Sequence, residues 1–242
     1  MSNIQDLQQY IDSSKRIVFF GGAGVSTASG IPDFRSSKGL FLQETGHNAS
    51  AEEIVSNQFF TRYPKIFFEF YFKNLVYEDA KPNLVHQYIA ELEKTDKDIS
   101  VVTQNIDGLH EKAGSTKIFN LHGNVYSNHC MVCGERFSLK ELQLDDDGIP
   151  RCPNDQGIVR PDITLYGEQL DMTVLEGAIN EIARADLLVI LGTSLAVYPA
   201  AGLVDYFNGD QVAVINKTTI RSNNPNSLFI QGDMNKVFEQ LN

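Results

Sequence analysis

The sequence predicts an α/β protein, a doubly wound and mainly parallel sheet with a smaller inserted module of helices and a cysteine-bearing segment. Three observations predict it. Short apolar, β-forming runs recur at residues 16–20, 99–103, 117–121, 186–191, 212–215 and 228–230. Helical stretches separate most of them, the alternation a parallel sheet requires. The three cysteines gather at positions 130, 133 and 152, inside one interval between runs.

Residues 4–14 place Ile4, Leu7, Tyr10 and Ile11 at helical spacing, so a short amphipathic helix is expected to pack on the sheet. Ile17 to Phe20 are consecutive apolar residues and predict a buried strand. Gly21, Gly22 and Gly24 then let the backbone turn tightly and approach a ligand, since no Cβ intervenes. Ser26 and Thr27 stand where a helix would begin, aiming unpaired N–H groups and a positive dipole end at a phosphate. Strand, glycine turn and helix start together read as a dinucleotide pyrophosphate site.

The dehydrogenase fingerprint G-x-G-x-x-G is broken here. Thr27 stands where the third glycine should be, and no second strand ends in an acidic residue about 20 positions on. Ile31, Pro32, Asp33, Phe34 and Arg35 follow instead, a proline-stiffened segment with an acid, an aromatic and a guanidinium. Residues 34–50, rich in Ser, Gly and Asn, read as a mobile loop able to close over bound nucleotide.

Residues 51–92 predict helices, with Pro64 and Pro82 as first-turn or breaker positions. The aromatic run from Phe59 to Phe72 reads as the core of a helical layer, with a hydrophobic tunnel wall as the rival reading. His86 reads as a packed or capping residue. The strand at 99–103 ends in Gln104, Asn105, Ile106 and Asp107, and open α/β sheets bind ligands just beyond such ends. The strand at 117–121 runs into His122 and Gly123. The later strands end in Gly192, Thr193 and Ser194, in Asn216, and near Asp233. A helix over 234–241 closes the chain.

A chain of 242 residues can bury roughly 70–75% of its unfolded surface. The formal charge of −11, from 20 basic and 31 acidic residues, argues against broad attraction to nucleic acid and suits a basic protein tail. No run approaches the apolar length of a membrane span, and the first ten residues contain no signal-peptide core. Three cysteines form no disulfide framework. A cytoplasmic monomer that binds neither nucleic acid nor membrane is the expectation.

Cys130-x-x-Cys133 and Cys152-x-x-Asp155 fit zinc-ribbon spacing, with Asp155 at the fourth position. Carboxylate is a harder ligand than thiolate, so weaker zinc binding is expected. His129 is the alternative fourth ligand, and a ribbon folded without metal is the rival to both. Four filled positions would leave no opening for substrate, so the site reads as structural. The organisation that follows is a Rossmann-like unit from residues 1–35, 93–125 and 166–242, a helical part at 36–92, and a zinc-ribbon-like module at 126–165.

Among the five histidines, His122 stands at a strand end with a glycine after it. An imidazole there, titrating near its ordinary value of about 6.5, suits proton abstraction at neutral pH. His110 falls on the helix after Asp107 and Gly108 and reads as structural.

The stretches GAGVSTASGIPDFR, TQNIDGLH, LHGN, RPDITLYGE and GTSLAVYPAAG, with the cysteine pairs, occur in the order of the NAD-dependent protein deacylases. The chain resembles those enzymes, the sirtuins, and their bacterial type in particular, over residues 21 to 202. The resemblance implies NAD as a consumed co-substrate and structural zinc through Cys130, Cys133, Cys152 and Asp155. It places His122 as general base, with Asn105 and Asp107 completing the catalytic set. Contacts to NAD would come from Gly22, Ala23, Gly24, Thr27, Asp33, Phe34 and Arg35. Gln104, Ile106, Gly192, Thr193, Ser194, Asn216, Asp233 and Met234 would add to them. An acyl-lysine peptide would lie as a strand against Thr164, Tyr166, Gly167, Glu168, Leu195 and Val197, its acylated side chain passing Phe34 and His122.

The implied reaction gives nicotinamide, deacylated lysine and O-acyl-ADP-ribose. Gly21 stands where the family commonly has threonine, Thr164 where it has an apolar residue, and Asp155 where it has cysteine. Family members that remove acidic acyl groups carry Tyr-x-x-Arg, whereas this chain reads Tyr71-Phe72-Lys73-Asn74, which implies neutral acyl groups. A protein ADP-ribosyltransferase on the same fold and a non-catalytic NAD-sensing protein are the rivals; a nicotinamide-dependent dehydrogenase is a more distant one.

Overall fold

The computed structural model describes residues 3–36, 39–42, 44–219 and 227–242. Helix α1 (Asn3–Ser13) buries Leu7 and Ile11 and leads into β1 (Arg16–Gly21), buried throughout after Arg16. The chain then forms α2 (Ala51–Ile54), α3 (Asn57–Arg62), α4 (Pro64–Asn74) and α5 (Leu84–Leu92). Strand β2 (Asp98–Thr103), α6 (Leu109–Ala113) and β3 (Ile118–Asn120) bring it back to the sheet. The cysteine-bearing part is β4 (Gly123–Cys130), β5 (Arg136–Ser138), β6 (Gln143–Leu144), β7 (Pro150–Arg151) and β8 (Val159–Ile163). Helix α7 (Met172–Arg184), β9 (Leu187–Leu191), β10 (Gln211–Asn216), β11 (Leu228–Gln231) and α8 (Met234–Phe238) complete the fold.

Six strands pair in parallel in the order β11-β10-β9-β1-β2-β3. The progression reverses at β1, with β2 on one side and β9 on the other. Such a switch point leaves a crevice at the carboxyl ends of the strands. The strands read as continuous apolar runs because helices cover both faces. Phe19, Val101 and Val189 pack with Leu7, Ile89 and Phe238 on one face, while Phe20, Val102 and Ile190 meet Ala178 and Ile182 on the other. Each large apolar side chain so buried contributes about 1.5–3 kcal/mol.

A second core lies under the inserted helices. Phe60, Phe67, Phe68 and Tyr71 pack with Ile54, Val125 and Ile163, so the aromatic run is mainly core; Tyr63 is the member left exposed. Pro64 opens α4 at a position where a missing N–H breaks no helical bond. Strands β5, β4 and β8 form an antiparallel sheet that carries the cysteines.

Two expected helices differ. The closing one ends at Phe238. No α-helix begins at Ser26 or Thr27; two 3-10 turns, Ala23–Val25 and Thr27–Ser29, take its place. Gly30 at φ +86° ends the second, and Pro32 keeps its predecessor out of the helical region, so no aligned dipole builds up. Among the described residues no helix is long and apolar enough to cross a membrane. Residues 37, 38 and 43 of the expected closing loop lie outside the described residues.

Candidate active site

A crevice opens at the carboxyl ends of β1 and β2. Ala23, Ser26, Ile31, Pro32 and Phe34 form one wall, Asn105, Ile106 and Asp107 another, and Leu40, Asn74, Leu75 and Tyr77 the rest. A buried polar hub sits in it. Ser26 Oγ donates to Asp107 Oδ2 at 2.6 Å, and Asn105 Nδ2 donates to Ser26 Oγ at 3.0 Å. The Leu109 N–H donates to the other Asp107 oxygen at 2.9 Å. Burial pushes the Asp107 carboxyl up from its ordinary value, while the bonds from Ser26 and Leu109 oppose that shift.

The glycine turn packs against the turn after β9. The Gly24 N–H donates to the Gly192 carbonyl at 2.8 Å, and a Cβ on Gly24 would lie 2.7 Å from Gly192 Cα. A Cβ on Gly22 would lie 2.7 Å from Thr193 Cβ. Bare backbone is therefore needed here first for the fit of one turn against another. Gln104 Nε2 donates to Thr193 Oγ1 at 3.1 Å, and Asn216 Nδ2 donates to the Thr193 carbonyl at 3.3 Å. The ends of β2, β9 and β10 are thereby tied together.

His122 follows β3, with Nδ1 2.8 Å from the Gln104 carbonyl oxygen. A carbonyl only accepts, so Nδ1 carries the proton and Nε2 keeps its lone pair. The expectation of an ordinary imidazole is corrected: burial lowers its pKa, against a smaller upward pull from the Gln104 bond. The neutral ring, which can accept a proton, is thereby favoured at neutral pH.

The ligand atoms of Cys130, Cys133, Cys152 and Asp155 lie within 4.8 Å of one another. Cys133 and Cys152 sulfurs are 3.7 Å apart, and Cys130 Sγ is 3.3 Å from Asp155 Oδ1. A tetrahedron with zinc–sulfur bonds of about 2.3 Å has edges of about 3.8 Å, so the donor set fits zinc. Gly157 makes room for it, since a Cβ there would stand 2.9 Å from both Cys130 Sγ and Asp155 Oδ1. The alternative ligand His129 is excluded from the group. Adjacent strand residues face opposite ways, and its Nδ1 meets Asp162 Oδ1 at 2.5 Å instead.

The family model described as the Sir2 family matches residues 22–199. The chain belongs to the Sir2 family. It is 48% identical to an NAD-dependent protein deacetylase of Clostridium perfringens, over 98% of each chain. A relative of the same name from Clostridium acetobutylicum is 43% identical, over 100% of this chain and 98% of its own. A solved structure described as "Sir2-p53 peptide-NAD+" superposes with a TM-score of 0.85 at 31% identity, covering 98% of this chain and 96% of that one.

The residues expected from the Sir2 family resemblance distribute unevenly. Ala23, Phe34, Asn105, Ile106 and Asp107 line the crevice. Thr27 Oγ1 is turned back to the Gly24 carbonyl, and Asp33 Oδ1 accepts the Arg35 and Ser36 N–H groups within its own loop. Arg35 lies over Phe41 and donates to the Tyr166 hydroxyl at 3.3 Å. Ser194 is exposed, whereas Leu195, at φ +50°, and Val197 are half-buried. Asp233 caps α8, and the Met234 side chain is buried in the core, which leaves only its main chain for a ligand. Thr164 donates its N–H to the His122 carbonyl at 2.9 Å, and Gly167 is exposed. The Glu168 carboxylate is paired with Arg160 and largely buried.

Ser26 was expected only as a helix start, and its side chain proves to join Asn105 to Asp107. Only the three-dimensional approach of turns 80 residues apart exposes that role. Ile31 and Pro32 were read as stiffening and prove to be wall. Tyr71 is wholly buried, and Lys73 lines an adjoining hollow with Glu44, His47 and Glu69 that shares Leu40 and Asn74 with the crevice. Of the four residues Tyr71 to Asn74, only Asn74 reaches the crevice.

Proposed function

We propose that this chain is an NAD-dependent protein-lysine deacylase, releasing nicotinamide, O-acyl-ADP-ribose and deacylated lysine. One arrangement carries the reading: the Ser26–Asn105–Asp107 hub lies in a switch-point crevice, and His122 nearby presents an unprotonated Nε2. The relatives named NAD-dependent protein deacetylase match the chain from end to end.

Bound NAD supplies a ribose carbon made reactive by the departure of nicotinamide. The protein's own part is positional and protolytic. Asn105 and Asp107 hold the carboxamide and ribose, while Phe34, Ile31 and Pro32 keep water from that end. Thr193, Ser194, Asn216 and the main chain at Asp233 and Met234 hold the adenosine half. Gly22, Gly24 and Gly192 shape its floor through their turn-to-turn fit. Thr27, Asp33, Arg35 and Gln104 act through the loops they brace. His122 Nε2 takes a proton from a ribose hydroxyl, and its Nδ1–H stays on the Gln104 carbonyl. The acyl-lysine peptide lies extended along Gly167 and the 194–198 segment, bonded main chain to main chain. With Asn74 rather than a cation at the crevice, the preferred acyl group is neutral. Zinc, held by Cys130, Cys133, Cys152 and Asp155, is structural. The chain acts as a cytoplasmic monomer on acylated proteins.

Mass spectrometry of an acetyl-lysine peptide incubated with the protein, with and without NAD, tests the activity. A mass loss of one acetyl group only with NAD is expected; added ADP-ribose on the protein would indicate a transferase instead. Positioned general bases contribute roughly 10²–10⁴-fold, so His122→Ala should lose about that much turnover while still binding NAD. Undiminished deacylation in that variant overturns the base assignment. A large preference for succinyl- over acetyl-lysine peptide overturns the neutral-acyl reading.

A further inference from the structure

The Glu168 carboxylate is fully engaged within the protein. It accepts from Arg160 Nη1 at 2.7 Å and Nη2 at 3.0 Å, from Asn57 Nδ2 at 2.7 Å, and from the Leu165 N–H at 2.9 Å. Two oxygens offer about four acceptor sites, so little capacity is left for a substrate. Arg160 is equally fixed. Its Nη2 also donates to the Ile163 carbonyl at 3.0 Å, and its guanidinium lies over the Phe60 ring at 5.4 Å. The two side chains are only 14% and 19% exposed, so solvent screens the pair weakly. Burial would raise the Glu168 carboxyl, yet the bonds from Arg160, Leu165 and Asn57 outweigh it and hold it below its ordinary value.

The turn that this pair grips is tied on three sides. Thr164 donates its N–H to the His122 carbonyl at 2.9 Å, Tyr166 donates to the Val55 carbonyl at 3.0 Å, and the Asn57 N–H donates to the Tyr166 carbonyl at 2.9 Å. Gly167 differs from its neighbours. It is exposed at φ +88°, and among the described residues nothing bonds its N–H or its carbonyl.

We propose that Arg160, Glu168 and Asn57 form a positioning clamp, which holds the Gly167 main chain ready for an acyl-lysine peptide without touching that peptide. The inference rests on the deacylase reading above and assigns Glu168 a role through Arg160 and the turn. Main-chain groups fixed before binding lose less freedom when a strand docks, so the clamp sets peptide affinity. The Thr164 bond to His122 places that docked strand in register with the imidazole.

Steady-state kinetics with an acetyl-lysine peptide and NAD test it in Glu168→Gln and Asn57→Ala, with NAD affinity measured separately by calorimetry. Misplacing a docking edge is costly, so peptide KM should rise about tenfold in Glu168→Gln and about threefold in Asn57→Ala, with NAD affinity held within about twofold. The drop in kcat at saturating peptide should be smaller than the rise in KM. An unchanged peptide KM, or equal losses of peptide and NAD affinity, overturns the clamp. Should Glu168→Gln fail to fold, Asn57→Ala decides by the same criterion. No turnover in the unaltered chain sinks the deacylase reading instead. The clamp is then judged by anisotropy of a labelled acetyl-lysine peptide, where equal binding to the unaltered and Asn57→Ala chains overturns it.

Discussion

Two buried imidazoles make the stability of this protein depend on pH. The rings of His86 and His110 are 4.7 Å apart, with the residues 0% and 3% exposed. His86 Nδ1 accepts the Asn83 N–H at 3.3 Å, so it caps α5. Its Nε2 and both nitrogens of His110 have no partner among the described residues. A proton on either ring would be a buried charge without a counter-ion. Burial, with some repulsion from His110, pushes His86 down to about 3, and burial alone pushes His110 down to about 4. Unfolded, both return to about 6.5, so the unfolded chain binds more protons between pH 6.5 and those lower values. The stabilisation is complete above pH 6.5 and is lost as pH falls. At 1.36 kcal/mol per unit, pH 5 lies about 1.5 units below 6.5, or about 2 kcal/mol per ring and about 4 kcal/mol for the pair. Asp107 works the other way, because its raised carboxyl lets the folded state take up a proton more readily. The lowered carboxylates Asp162, Glu168 and Glu181 lose their contribution only further down, below about pH 4.5. Urea unfolding followed by circular dichroism at pH 7, 6 and 5 measures the effect. His110→Leu removes one titrating ring without breaking a hydrogen bond, so it should cut the loss between pH 7 and 5 by about 2 kcal/mol, while His122, also lowered by burial, keeps adding a loss of the same sign. Flat stability over that range, or an unaltered slope in His110→Leu, would refute the reasoning.

Three further outcomes follow from the same structure. Because burial lowers His122, kcat/KM should rise with pH through an ionisation below about 6.5 and level off near neutrality; a limb centred above pH 7 contradicts a buried base. A Cβ on Gly21 would sit 3.4 Å from Val25 Cγ2 and 4.0 Å from His110 Nε2, so Gly21→Ser fits and its hydroxyl can donate to that orphaned nitrogen. It should raise stability by about 1 kcal/mol, read as a higher urea midpoint; a lower one sinks the account. Metal analysis should find zinc on the chain, and its removal by a chelator should lower the melting temperature. Asp155→Cys should slow that removal, since thiolate holds zinc better than carboxylate, and an unchanged release rate would contradict the ligand set.

The large sheet was legible because its strands are covered on both faces and therefore read as unbroken apolar runs. Its crevice was legible as well, since turns after successive strands carry Gly, Asn, Asp and His. The division of labour within those turns was not. Gly22 and Gly24 announce a tight turn, but the backbone they admit belongs to Gly192, about 170 positions away. Thr27 looked like a helix start until Gly30 and Pro32 cut the helix to single turns. Spacing put Asp155 at the fourth metal position with His129 as the alternative, and strand alternation turns His129 away from the cysteines to Asp162. Glu168 belongs to the same short motif as Gly167, and only the position of Arg160 shows that one is buttress and the other open edge.

Gly123 explains why, on the reading proposed above, the base and the peptide edge cannot be considered apart. It follows His122 directly and begins β4 at φ +76°, where β4 pairs antiparallel with β8. A Cβ there would lie 1.8 Å from the Asp162 carbonyl oxygen, closer than any side chain can come. Glycine is thus demanded twice over, by its dihedral and by the approach of the neighbouring strand. That approach brings Ile163 opposite Gly123, and the next residue, Thr164, bonds the His122 carbonyl. From Thr164 the chain turns at once into the segment gripped by Arg160 and Glu168. One strand pairing therefore anchors both His122 and the start of the segment that leads to Gly167. On the proposed deacylase reading, a shift in either strand would move the proton acceptor and the docking edge together, so the pairing would keep an acylated lysine aligned with its base.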